Sequence, residues 1–176
     1  MTLAWHEEPI SKGHPREGFD CGDSDLNTYL KKFARQNHES GGAKTFVAID
    51  GTNGRVLGFY SLAPAVAEFE RTPEDIRRGL PRHAVPGYRL ARLATDLSVQ
   101  GSGLDGQLLL AAGQRCLRVS AEVGDVALYI DAKNERVAAW YASFGAQRLL
   151  GDTGRSPIAM VMSLKTIAAA LASVGQ

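Results

Sequence analysis

The chain is short of most features that give a protein away. It has two cysteines, Cys21 and Cys116, far apart and without metal-ligand spacing. That excludes a disulfide framework and a cysteine-built metal site, and it points to a reducing, cytoplasmic setting. The four histidines, His6, His14, His38 and His83, are scattered, so no imidazole cluster for a metal is expected. No run approaches the roughly 18 apolar residues of a membrane span. The first residues carry His6, Glu7 and Glu8 where a secretory signal would be apolar. A net charge of +1 excludes a chain-wide polybasic binder, so any electrostatic footprint has to be local. Repeats, low-complexity blocks and linkers are missing too. What remains is a chain of 176 residues, 44% apolar and 22% charged, long enough to bury a core in one domain.

Periodicity and punctuation supply the elements. Asp and Ser in residues 19–25 are available as N-caps. Leu26, Tyr29, Leu30 and Phe33 follow helical spacing, which predicts a helix to about His38, ended by Gly41-Gly42. Residues 44–50 and 55–67 are β-rich runs joined by Asp50-Gly51-Thr52-Asn53-Gly54, a hairpin signal. A short helix is predicted at 73–80 and a strand at 88–99. A helix from about 104 to 122 puts Leu104, Leu108, Ala112, Cys116 and Leu117 on one face. Val126–Ile130 reads as a buried strand. A helix over 133–144 carries Val137, Trp140, Tyr141 and Phe144, two strands follow at 146–150 and 157–163, and a last helix spans about 164–174. A hairpin followed by strand–helix–strand–helix–strand predicts one α/β domain with a mixed central sheet flanked by helices.

Between the strand and the long helix lies Gln100-Gly101-Ser102-Gly103-Leu104-Asp105-Gly106. A glycine turn entering a helix lets an anion reach backbone N–H groups that have no helical partner, at the positive end of the helix dipole. It is not a P-loop, because no Lys-Ser/Thr follows, and the third glycine of the dinucleotide fingerprint is missing. Taken alone, the turn also fits a tight connection that binds nothing.

Residues 100–106 resemble the Gln/Arg-x-x-Gly-x-Gly/Ala loop of the GNAT-fold N-acetyltransferases; Gln100 and Gly103 match, and Asp105 stands in the Gly/Ala place. Asn134 and Trp140-Tyr141-Ala142-Ser143-Phe144-Gly145-Ala146 resemble the late helix of that family. Phe19-Asp20-Cys21-Gly22, Leu26-Asn27-x-Tyr29-Leu30, Thr45-Phe46-Val47, Gly58-Phe59-Tyr60-Ser61-Leu62 and Leu90-Ala91-Arg92-Leu93-Ala94 resemble one branch of it, the toxins of type II toxin–antitoxin pairs. The similarity covers about residues 15–163, in the family's order.

The resemblance implies the GNAT fold, acetyl-CoA as co-substrate, no metal, and acetylation of the α-amino group of aminoacyl-tRNA, which stops translation. It also implies a ribbon-helix-helix antitoxin as partner, a homodimer, and no membrane association. Acetyl-CoA would be bound by Leu93, Ala94 and Thr95, by the loop residues Gln100, Gly101, Ser102, Gly103, Leu104, Asp105 and Gly106, and by Asn134. Backbone N–H groups around Leu93 to Leu97 would meet the developing oxyanion. Tyr141 would protonate the departing thiolate; by spacing alone it reads as a core aromatic beside Trp140 and Phe144. Asp96 reads as a pairing or packing residue, not a base, and Cys21 as structural.

Two features bear on substrate. From Arg77 to Arg92 there are five arginines (Arg77, Arg78, Arg82, Arg89, Arg92) and no acid, and Lys31, Lys32 and Arg35 form a cationic helix face. This local asymmetry suits a polyphosphate backbone; each residue taken singly also fits a solvated face or an antitoxin contact, but taken with the implied fold these residues are expected to contact tRNA. Asp105 cuts the other way. A carboxylate about 5 Å from a diphosphate oxygen costs about 0.8 kcal/mol in water and about 3 kcal/mol at an effective dielectric of 20. It either satisfies the helix dipole harmlessly or weakens the cofactor site. The alternatives are therefore a GNAT enzyme for a small amine or protein N-terminus, and a catalytically impaired GNAT-fold binding module.

Overall fold

The computed structural model describes residues 3–174. In chain order it contains β1 (Trp5–Pro9), α1 (Ser24–Thr28), a π-helical turn (Tyr29–Phe33), α2 (Ala34–Ser40), β2 (Lys44–Asp50) and β3 (Val56–Ala67). A 3-10 turn (Phe69–Arg71), α3 (Glu74–Arg77), β4 (Val85–Thr95), a second 3-10 turn (Leu97–Val99) and α4 (Leu104–Val123) follow. The chain ends with β5 (Ala127–Ala132), α5 (Glu135–Ala142), β6 (Gln147–Arg148), β7 (Ile158–Ser163) and α6 (Leu164–Val174). Strand order is β1-β2-β3-β4-β5-β7-β6. This is the mixed α/β arrangement expected from the sequence.

The chain forms two compact units. One runs through Ala63 and takes in Ala91–Ala112; the other holds Pro64–Leu90 and everything from Gly113. In the first unit β1 and β2 pair antiparallel, and β2 and β3 form the expected hairpin, with Val47 opposite Phe59 and Thr45 opposite Ser61. Gly54 closes the turn at a φ of 74°, which favours glycine. Alternation puts Val47, Ile49 and Phe59 on one face, where they bury against Ile10, Phe19, Tyr29, Leu30, Ala34 and Ala94. Asp23 caps α1 by accepting from Asp25 N and Leu26 N.

In the second unit β4 and β5 run parallel, from Gly87 opposite Ala127 to Leu90 opposite Ile130. β5 and β7 are antiparallel, as are β6 and β7. Ile76, Ala127, Tyr129, Leu149 and Val161 form the core here. Among the described residues no helix is long and apolar enough to cross a membrane.

Five boundaries differ from the sequence expectation, each for a local reason. β1 was not expected; its charged residues suit a sheet edge, where alternate side chains meet water. β4 covers 85–95 rather than 88–99, because the Asp96 side chain accepts from Ser98 N and turns the chain into a 3-10 step. α3 is one turn rather than the 73–80 helix, stopped before Gly79, whose φ is 82°. α5 starts after its Asn134 cap and ends at Ala142, short of 133–144. The helix after Leu26 is interrupted by the π turn, where Ala34 N bonds back to Tyr29 O.

A Cβ added to Gly87 would lie 2.2 Å from the Ala127 carbonyl oxygen. We expect Gly87→Ala to force β4 and β5 apart and to cost about 2–3 kcal/mol, a loss of roughly 5–10 °C in melting temperature for a chain of this size. An unchanged melt would mean the two strands are not held that closely.

Candidate active site

The first unit builds a hollow around the end of β4. Asp96, 5% exposed, is the pin beneath it. Its carboxylate accepts from Asp20 N at 3.0 Å, Ser98 N at 3.0 Å and Ser98 Oγ at 2.7 Å, and the Arg55 guanidinium stands 3.7 Å away. Burial alone would raise its pKa; the donors and Arg55 outweigh burial and hold it below the usual carboxylate value. Asp96 N donates to Leu57 O and Leu97 N to Asp20 O, both at 2.8 Å. With so many donors on its oxygens, Asp96 is fixed as an acceptor and is a poor general base.

Gln100 ties the glycine loop to its surroundings. Its Nε2 donates to Cys21 O at 3.0 Å and Thr95 O at 3.1 Å. Gly101 and Gly103 take φ values of 82° and 89°, a left-handed backbone that L side chains rarely adopt. Ser102 Oγ faces Leu104 N at 3.4 Å, and Asp105 Oδ1 accepts from Gly106 N at 2.8 Å. The Asp105 carboxylate thus occupies a first-turn donor of α4. Leu104 is buried beneath the loop.

The resulting hollow, about 280 Å³, is lined by Cys21, Asp23, Leu26, Leu93, Ala94, Thr95, Gln100, Gly101 and Asp105. Backbone at the end of β4 thus meets bare glycine backbone at the head of α4, a geometry suited to a long ligand with an anionic segment. Burial pushes the Cys21 thiol up, away from a reactive thiolate. Among the described residues no cluster of His, Cys, Asp or Glu could hold a metal.

Cationic side chains of this unit lie on the π turn (Lys31, Lys32), on α2 (Arg35) and on β4 (Arg92). Arg35 pairs with Glu39 at 2.9 Å. Arg92 lies over the Tyr29 ring, 3.7 Å from its centroid.

The second unit carries the late helix. Tyr141 on α5 is 7% exposed and meets Trp140 edge to face at 4.9 Å between centroids. Its carbonyl accepts from Phe144 N and Ala146 N, closing the helix end. Asn134 uses its side chain as the N-cap, accepting from Val137 N at 2.9 Å. Arg77 packs over Phe69 and donates to Phe69 O at 3.2 Å. Arg82 pairs with Glu70 at 3.8 Å and Arg89 with Asp131 at 3.4 Å; Arg78 follows α3 directly. Sequence reasoning missed the brace by Gln100, the pinning of Asp20 and Ser98 by Asp96, and the Tyr29–Arg92 stack. Contacts such as Gln100 to Cys21, Asp96 to Asp20 and Arg92 to Tyr29 join residues far apart in the chain and leave no local pattern to read.

No family model matches the chain. It is 36% identical over 135 residues to the tRNA-acetylating toxin of Mycobacterium tuberculosis (strain ATCC 25618 / H37Rv), covering 77% of this chain and 80% of that protein. Among solved structures it resembles AtaT complexed with acetyl-methionyl-tRNAfMet, with a TM-score of 0.86, 27% identity and coverage of 96% of this chain and 99% of that one. It also resembles a tyrosine-to-phenylalanine variant of the AtaT toxin bound to the C-terminus of the antitoxin AtaR and acetyl-CoA, with a TM-score of 0.78, 25% identity and coverage of 95% and 98%.

Removing the pin has a defined cost. Asp96→Ala leaves the Asp20 and Ser98 N–H groups without their acceptor, and we expect a loss of about 2–3 kcal/mol in urea melts at pH 7. Because the folded carboxyl titrates below its unfolded value, its stabilisation is present above about pH 4 and lost as pH falls through the folded value. The gap between native and variant should therefore narrow in acid; a gap independent of pH would show that the charge contributes nothing.

Proposed function

Because the chain belongs to the GNAT-fold acetyltransferase toxins of toxin–antitoxin systems, we propose that it moves the acetyl group of acetyl-CoA onto the α-amino group of an aminoacyl-tRNA. In this reading the reaction blocks translation in the cytoplasm, the protein works as a homodimer, and a cognate ribbon-helix-helix antitoxin silences it. The observation that carries the reading is the 36% identity to a tRNA-acetylating toxin over most of both chains. The likeness to AtaT with acetyl-methionyl-tRNAfMet supports the acceptor.

Acetyl-CoA supplies an activated thioester. Its diphosphate fits the turn at Gly101–Gly103, where no Cβ blocks approach to the backbone. Its pantetheine arm fits the hollow beside Leu93, Ala94 and Thr95. Backbone N–H groups at this end of β4 polarise the carbonyl as it becomes an oxyanion. The amine attacks in its neutral form. α-Amino groups titrate near 7.7–8.0, and an esterified one lower, so an appreciable fraction is neutral at pH 7 and no strongly shifted base is needed. That agrees with a hollow whose nearest buried acid, Asp96, is hydrogen-bonded to three donor groups. As the tetrahedral centre collapses, the C–S bond breaks, the Tyr141 hydroxyl protonates the thiolate, the attacking nitrogen loses its proton to water, and the Tyr141 phenolate takes a proton back from water. Asn134 acts through α5: by capping that helix it sets where Tyr141 stands.

The cationic side chains serve the phosphates of the acceptor. Lys31, Lys32, Arg78 and Arg92 meet them directly. Arg35, Arg82 and Arg89 must first exchange present ion pairs, which is cheap, since an exposed pair is worth about 0.2–1 kcal/mol; Arg77 must leave the Phe69 ring and carbonyl. One observation favours a weaker enzyme: Asp105 competes with the diphosphate for the Gly106 N–H.

The test is incubation with labelled acetyl-CoA and a pool of charged tRNA. Label should pass to the aminoacyl group, and Tyr141→Phe should lower the rate at least about 100-fold with an unchanged circular dichroism spectrum. Equal transfer to free amines would move the substrate class to small amines, and full activity in Tyr141→Phe would remove that tyrosine from the chemistry. Calorimetry checks Asp105 separately. Asp105→Gly should tighten acetyl-CoA binding between about threefold and a hundredfold; an unchanged affinity would mean the carboxylate turns to solvent when the diphosphate arrives.

A further inference from the structure

Tyr29 opens the π-helical turn, an irregularity that is frequent at functional sites. Its aromatic ring, 5% exposed, is set into the core of the first unit. One side of it stacks with Phe59, centroids 6.3 Å apart and planes at 26°. Its hydroxyl is held by Asn37 Nδ2 at 3.5 Å. Burial works against ionisation of the phenol, but hydrogen bonds with Asn37, Ser61 and Thr45 and the Arg92 charge pull it below its ordinary value. The ring is thus locked by stacking and by polar contacts together.

Arg92 lies on that ring. Its central carbon is 3.7 Å from the ring centroid. That is contact distance for two flat groups lying face to face; on edge, a guanidinium nitrogen would clash with the ring. Lying flat, the guanidinium directs its five N–H donors outward, in the fork that matches a phosphate. Among the described residues Arg92 makes no salt bridge, whereas Arg35, Arg82 and Arg89 each do. Ala94, two residues further along β4, packs in the same cluster as Tyr29 and also lines the hollow. Leu93, the next residue after Arg92, lines the hollow as well, so Arg92 stands at its margin.

We propose that the Tyr29 ring is the platform that holds the Arg92 guanidinium open for a phosphate at the acceptor end of charged tRNA, which makes Tyr29 a positioning residue for substrate binding. The proposal rests on the reading of charged tRNA as acceptor. A flexible arginine loses side-chain freedom when it grips a phosphate; one already stacked has lost much of it in advance. Lysine keeps the charge but cannot stack as a plane.

The test uses the full chain, with steady-state kinetics on charged tRNA and filter binding of uncharged tRNA, at two salt concentrations. Tyr29→Leu and Arg92→Lys should each raise KM for charged tRNA and Kd for uncharged tRNA about tenfold, the scale of a partly desolvated cation–π contact. The change should fall in KM rather than kcat, and Tyr29→Phe, which keeps the ring, should restore the native KM. The double variant Tyr29→Leu with Arg92→Lys should be no worse than either single one. If Tyr29→Leu fails to fold, Arg92→Lys decides alone, and a native KM and Kd there would overturn the platform. So would additive effects, or a Tyr29→Phe as impaired as Tyr29→Leu. If the native protein transfers no acetyl group yet Tyr29→Leu and Arg92→Lys still weaken tRNA binding without adding, the platform stands and the proposed reaction falls. If the native protein binds no tRNA at all, both fall.

Discussion

A single buried carboxylate sets the geometry of the first unit. Asp96 directly follows β4, and its oxygens gather Asp20 N, Ser98 N and Ser98 Oγ within 3.0 Å. A charge taken out of water this completely is tolerable only when donors replace the lost hydration. The backbone therefore has little choice of path around it. The segment before α1 is drawn to the strand end, and the chain beyond Asp96 is turned out of the sheet into the glycine loop. Gln100 repeats the device a few residues later with a neutral amide. The walls of the hollow are placed by these two side chains, neither of which belongs to an apolar core.

This division of labour suits a site that recognises its ligand largely through main-chain groups. Backbone N–H groups cannot be tuned by substitution, so specificity has to come from where the backbone is put. Apolar packing, as in the cluster of Phe19, Tyr29, Leu30 and Phe59, sets the distance between helix and sheet. The polar pins set the last turn of the path.

The parts that could be read from the sequence are those encoded within a few residues. The hairpin at Asp50–Gly54, the glycine turn at 101–103 and the long helix from Leu104 all have local signatures, and the family resemblance joined them in one order. What could not be read was long-range. Nothing near Gln100 in sequence announces Cys21 O as its acceptor, and a pattern of Leu26, Tyr29, Leu30 and Phe33 looks the same whether the turn is α or π. The edge strand Trp5–Pro9 was hidden for another reason: its charges, His6, Glu7 and Glu8, look like a solvated tail until a neighbouring strand pairs with them. Arg82 and Arg89 read as part of a basic face; their acids, Glu70 and Asp131, come from outside the run that suggested it.

The loop's habit of satisfying itself has a thermodynamic consequence. Ser102 and Asp105 already engage donors at the head of α4. An anion arriving at this turn therefore exchanges partners and does not simply gain them: its net grip is the difference between the hydrogen bonds it makes and those the two side chains give up.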